Sequence, residues 1–230
     1  MTVEPQVDHL PAHRLWQPVT VKWLLFVLGA ALAYAVLRYH IAGDVPWRHL
    51  PLFIFNKAAS MAATIFVACS YLVGKAIRWH NHDPRTKLVV IKLCGLMGFS
   101  LAVIHALASF ALLNAAYFPK YFAADGRLHW NGELAVMAGV VALWALAFPA
   151  ITTLPMMARE LGGVRWKRSQ RMGYVCLFLV VVHLFALGLQ GWLTPHDWQW
   201  GLPPISLLAV VIATIPLMLK VAAIRRKVSK

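Results

Sequence analysis

The chain has 230 residues, of which 60% are hydrophobic and only 13% charged, a balance that excludes a water-soluble globular fold. Its 22 Lys and Arg against 8 Asp and Glu give a formal net charge of +14. In a soluble protein that excess would point to nucleic acid; here the basic residues lie between apolar segments, where membrane orientation accounts for them, and no nucleic-acid partner is expected.

In chain order, the polar opening MTVEPQVDHLPAHRLWQP is followed by an apolar run too long for a signal-peptide core, so residues 1–19 are expected to be a cytoplasmic tail. Six apolar stretches follow, near 20–40, 52–76, 88–116, 132–153, 171–192 and 204–222. Each has the roughly 20 residues that a helix needs to cross about 30 Å of hydrocarbon. GDVPWRHLP, RWHNHDPRTK, YFPKYFAADGRLHWNG, PMMARELGGVRWKRSQ and TPHDWQWGLPP break them. The predicted fold is all-α: a polytopic membrane bundle of six transmembrane helices over 20–222, with a basic tail at 223–230.

Orientation follows from the basic residues. The N-terminal tail, the second and fourth connections and the C-terminal tail hold 17 Lys and Arg, counting Lys92 and Lys220 at span ends, against 5 in the other three connections. The positive-inside rule then puts both termini in the cytoplasm. Nine of the ten tryptophans fall near span ends, as an interfacial belt requires, and only Trp144 is mid-span. The basic run Arg165, Lys167, Arg168 and Arg171 suits anionic membrane lipid. Cys69, Cys94 and Cys176 all lie in apolar stretches without CxxC spacing, and read as buried free thiols.

Seven of the ten histidines, His9, His13, His49, His80, His82, His129 and His196, fall in tails or loops, and His40 sits at the outer end of the first span as an interfacial residue. The remaining two are different. His105 lies inside span three and His183 inside span five, each nine residues before a polar or interfacial marker, Asn114 and Trp192. At 1.5 Å per residue both imidazoles fall roughly 14 Å inside the same boundary, on helices running in the same direction. Intramembrane ionisable groups are costly and mark ion pathways, relays or cofactors, and no carboxylate lies at this depth to complete a relay. Two neutral imidazoles suit the axial positions of a haem iron. The plain alternative is a hydrogen bond from each histidine to Ser100, Ser109 or a free carbonyl, holding helices together. Gly95, Gly98, Ala102 and His105 share one face of span three, which would leave room for a macrocycle or simply allow close helix packing.

The ordered set of motifs, NKAASMAATIF opening span two, AVIHALASF in span three, GELAVMAGVVAL in span four, ITTLPMMARELGGVRWKRSQRMGY and then His183, resembles the ferric-reductase-like transmembrane family over about residues 50–200. That family comprises six-helix membrane cytochromes, among them the haem-binding subunit of the bacterial methionine sulfoxide reductase system. The resemblance implies that His105 and His183 are axial ligands of a haem b, and that the protein relays electrons as a reductase subunit in a bacterial inner membrane. Gln170 stands where the sulfoxide-reductase subunits carry a further histidine; an amide is a poor haem ligand, so one haem is expected. Family members that reduce iron or oxygen carry a flavin and nicotinamide domain after the last span. Here IRRKVSK follows and no GxGxxG occurs. The expected electron source is therefore a partner protein, a bound FMN or a quinol, with an acceptor protein or substrate at the outer face.

Lys57, one turn into span two beside Asn56, can snorkel or meet a haem propionate, and Lys120 and Arg127 are candidates of the same kind. Glu133 suits the positive end of a helix that Asn131 would cap. The cofactor-binding set read from the sequence is thus His105, His183, Gly98 and Lys57, with His105 and His183 as metal ligands and no catalytic residue. The competing function is a haem-free scaffold or small transporter on the same bundle.

Overall fold

A computed structural model of the chain describes residues 18–76 and 84–228. Most of the expected N-terminal tail, together with His9, His13, His80 and His82, lies outside the described residues. Hydrocarbon offers the backbone no hydrogen-bond partners, so each apolar run satisfies its own peptide groups by coiling into a helix. Among the described residues there are seven α-helices: α1 Pro18–Val36, α2 Phe55–Ala76, α3 Pro84–Ala111, α4 Trp130–Ile151, α5 Pro155–Gln170, α6 Met172–Trp192 and α7 Ile205–Val228. No strand occurs among the described residues, and Phe122 and Leu128 make one isolated bridge.

Among the described residues six helical segments are long and apolar enough to span: 21–41, 47–73, 88–111, 130–151, 155–192 and 199–228. They match the six predicted stretches, with three differences. Span three stops at Ala111 rather than near 116, because the chain turns at Leu112–Asn114. The segment PMMARELGGVRWKRSQ, expected only as a break, is the helix α5, begun by a proline whose missing N–H costs nothing in the first turn. It bends at Gly162, whose φ of 64° is a left-handed conformation open to glycine. Lastly, α7 continues through Arg225, Arg226 and Lys227 to Val228, so most of the expected basic tail is its final turn and a half.

Small residues set the packing. On α4, Ala135, Ala138, Ala142 and Ala145 are buried at steps of three and four, while Leu134, Met137, Val141, Trp144 and Phe148 are exposed on the opposite side. This inverts the pattern of a soluble helix, because lipid tails are as apolar as leucine and close backbone approach is what draws membrane helices together. Alanines 58, 59, 62 and 63 do the same for α2. Between α2 and α3 the approach is tight at Gly98, where a β-carbon would sit 2.7 Å from Val67 Cγ2 and 3.0 Å from the Val67 backbone nitrogen. A second apolar cluster joins Val67 of α2, Ala142 and Leu146 of α4, Leu177 of α6 and Ala213 of α7.

One local reading is sharpened and another corrected. His40 lies at the end of the first span and is buried within the protein there: it belongs to a π-helical turn, Leu37–Ile41, that continues α1, and its ring stacks on Trp47 with centroids 4.4 Å apart while Nδ1 meets the Val45 carbonyl at 2.7 Å. Asn131 is not the cap of α4. The His129 N–H is bonded to the Tyr121 carbonyl, which keeps His129 extended and starts the helix one residue later, at Trp130. All three cysteines are free; Cys176 is buried, Cys69 and Cys94 only partly so.

Candidate functional site

Helices α3 and α6 bring His105 and His183 together, with ring centroids 6.4 Å apart and ring planes at 83°. Each ring is held by its Nδ1. His105 Nδ1 donates to Asn56 Oδ1 on α2 at 2.8 Å, and Asn56 Nδ2 in turn donates to Ser109 Oγ at 3.0 Å, one turn beyond His105 on α3. His183 Nδ1 donates to the Ala135 carbonyl of α4 at 2.7 Å. An amide or carbonyl oxygen can only accept, so both Nδ1 atoms carry the hydrogen, and the lone pair of a neutral ring is on Nε2.

The helices make these bonds possible through missing side-chain volume. Gly98 lets α3 lie against α2, so that Asn56, 3% exposed, reaches across to His105. Gly139, one turn after Ala135, leaves room for the other ring: a β-carbon there would stand 3.0 Å from His183 Nδ1 and 3.2 Å from its Cε1. Gly98 therefore acts through α2, and the glycine that borders a histidine is Gly139. Neither Gly139 nor the Ala135 carbonyl stands out in the sequence. The only available signal was a glycine within the GELAVMAGVVAL motif, because a helical carbonyl carries no signature of its own.

Two cations gather at the end of the bundle formed by the 112–129 loop. Lys57, next to Asn56, lies over the Phe53 and Tyr39 rings at 4.5 and 4.8 Å. Lys120 donates to the Leu187 carbonyl at 3.2 Å, one turn past His183, and the Tyr121 hydroxyl donates to the same oxygen at 2.5 Å. Loss of hydration, and secondarily the Lys57 ammonium, hold Lys120 below the usual lysine value; burial, with a smaller part from Tyr39, raises the Tyr121 phenol. Arg127 instead projects from the loop beside Asp125, 3.7 Å away and highly exposed. Glu133 is exposed in the first turn of α4, where the helix dipole favours it.

At the other end, next to α5, a cavity of about 200 Å³ is lined by Tyr71, Lys92, Gly95, Trp166, Lys167 and Gln170, among others. Gln170 is tied to the end of α4: its Nε2 donates to the Pro149 carbonyl and to Thr152 Oγ1, both at 3.2 Å, and its backbone carbonyl accepts from the Tyr71 hydroxyl at 2.8 Å.

No family model matches the chain. Among curated proteins it is similar to metalloreductase STEAP3 of Rattus norvegicus, 28% identical over 255 residues that cover 94% of this chain and 51% of the relative. It is also similar to metalloreductase STEAP2 of Mus musculus, 23% identical over 245 residues covering 93% and 50%, and to human STEAP2, 23% identical over 248 residues covering 94% and 51%. The chain spans about half the length of these curated relatives. Their names agree with the ferric-reductase-like resemblance at the level of reductases.

Proposed function

We propose that this multi-pass membrane protein is a b-type cytochrome, the transmembrane part of a reductase system, in which His105 and His183 would hold the iron of one haem b. The observation that carries the reading is the convergence of two imidazoles whose Nδ1 atoms are already committed and whose Nε2 atoms are free to bind metal. Their separation fits. Two metal–nitrogen bonds of about 2 Å, plus about 1 Å from nitrogen to ring centre on each side, call for centroids about 6 Å apart, and 6.4 Å is found. Among the described residues no cluster of three or more His, Cys, Asp or Glu forms. Two imidazoles alone suit a metal that brings its equatorial ligands with it.

When bound, the haem supplies a one-electron carrier inside the hydrocarbon. The chain's own residues do the rest. Asn56 and the Ala135 carbonyl fix the tautomer and plane of each ligand, as hydrogen bonds to the second ring nitrogen do for ligating histidines generally. Lys57 and Lys120 offer positive charge for haem propionates at the loop end, and Gly98 serves the site by letting α2 approach α3. Near α5, the cavity suits a flat electron carrier such as FMN or a quinone, with Trp166 to stack on it and Lys92 and Lys167 to meet an anionic group.

The excess of Lys and Arg puts the α5 end and both termini on the cytoplasmic side, and the resemblance suggests a bacterial inner membrane. Electrons would be delivered there by a donor protein, flavin or quinol and taken up at the opposite face by a protein or small acceptor. A metal ion is an acceptor of that kind, given what the relatives are called. The deciding experiment is a pyridine haemochrome assay on protein expressed with haem supplied, alongside His105→Ala and His183→Ala. About one haem per chain, lost in both variants, is expected. A colourless wild type would favour the haem-free scaffold or transporter.

A further inference from the structure

The two histidines are held unequally. His183 leans on a backbone carbonyl, which no side-chain substitution at Ala135 removes, whereas His105 leans on the side chain of Asn56. Burying an amide costs free energy unless its groups are paired, and Asn56 is 3% exposed among the alanines of α2. Both its ends are used: Oδ1 on His105, Nδ2 on Ser109, whose own Oγ lies 3.4 Å from His105 Nδ1. The result is a closed triangle of three side chains from two helices.

On the reading that His105 ligates a haem, we infer that Asn56 is a positioning residue that sets the redox poise of the site through this bond, with Ser109 reinforcing it. An acceptor on Nδ1–H pushes electron density toward Nε2 and makes the ring a more basic ligand. A more basic ligand favours the ferric over the ferrous ion. The bond that Asn56 Nδ2 makes to Ser109 polarises the amide and strengthens Oδ1 as an acceptor, since hydrogen bonds in a chain reinforce one another. The neutral amide is an intermediate setting: an apolar residue at position 56 would be weaker and a carboxylate stronger.

The test is a reductive titration of the wild-type protein, Asn56→Leu, Asn56→Asp and Ser109→Ala, followed at the haem absorbance, with haem per chain measured on each. Asn56→Leu is expected to lower the ferric-to-ferrous affinity ratio about tenfold, a rise of about 59 mV for one electron. Asn56→Asp should shift the potential the opposite way, and Ser109→Ala should shift it in the direction of Asn56→Leu by less. Opposite signs are the signature, because a residue that merely fills space between α2 and α3 would move both Asn56 variants alike. Unshifted or same-signed potentials in haem-loaded variants would overturn the inference while leaving the haem reading intact; a wild type without haem would defeat that reading instead. Should neither Asn56 variant retain haem, Ser109→Ala decides: a rise supports the inference and no shift overturns it.

Discussion

Replacing Gly139 by alanine adds a single methyl group, and the structure says where it lands. It would stand 3.0 Å from His183 Nδ1 and 3.2 Å from Cε1, inside ordinary van der Waals contact, so the ring must retreat by a few tenths of an ångström. The ring cannot retreat freely, because the same Nδ1 is bonded to the Ala135 carbonyl at 2.7 Å on the same helix. Overpacking of this kind costs about 1–3 kcal/mol, and alanine returns about 1 kcal/mol over glycine within a helix. The net is a loss of about 1 kcal/mol. Gly29 on α1 has no neighbour within 4 Å of a built β-carbon, so Gly29→Ala should keep the helix gain alone, about 1 kcal/mol of stabilisation. The two variants should therefore differ by about 2 kcal/mol, or roughly 4–8 °C in Tm for a chain of this size. Thermal unfolding of both in the same detergent reads the difference. In the loaded protein the Gly139 variant should also alter the haem absorption bands, and Gly29→Ala should not. Equal Tm shifts in the two would refute the claim that Gly139 is the space His183 occupies.

Gln170→Leu removes two hydrogen bonds that tie the end of α5 to the end of α4 but leaves the Pro149 carbonyl its bond from Thr153 Oγ1 at 2.6 Å. A loss of about 1 kcal/mol is expected; a variant as stable as the wild type would show that Gln170 does not tie the helices. Lys120 titrates below the ordinary lysine value in the folded protein, so between that lowered value and the usual one the unfolded chain binds more protons, and stability rises with pH across this window. Methyl-labelled lysine NMR should find Lys120 titrating early, and Lys57→Met should move it upward by removing the second cause; no movement would separate the two cations. Loss of haem in His105→Ala and His183→Ala, and the signed potential shifts at Asn56, are the remaining expected outcomes.

Much of this molecule is legible in its sequence because the bilayer is a demanding solvent. A run of some twenty apolar residues has one economical solution, a helix, and Lys and Arg between such runs read as membrane edges; hence six spans with bounds close to those found. His105 and His183 stood out for the same reason, as ionisable groups are rare at that depth. The α5 segment reads as a break in the sequence because a polar, exposed helix with a mid-chain Gly-Gly carries the same turn residues as a loop. Asn56 is visible as a polar residue one turn into span two, but its bond to His105 is not, since a sequence gives its depth and not its partner.

What only the tertiary structure decided is which groups meet. Spacing along α3 put Gly98 on the histidine's face, yet the space beside it is filled by Val67 and Ala63 of α2, the helix that also brings Asn56 to His105. The acceptor for His183 is a backbone carbonyl, chemically the same at every residue, and its selection rests wholly on how α4 lies against α6. Apolarity and length are properties of one segment and survive in the sequence; a hydrogen bond between helices belongs to two, and exists only once both have packed.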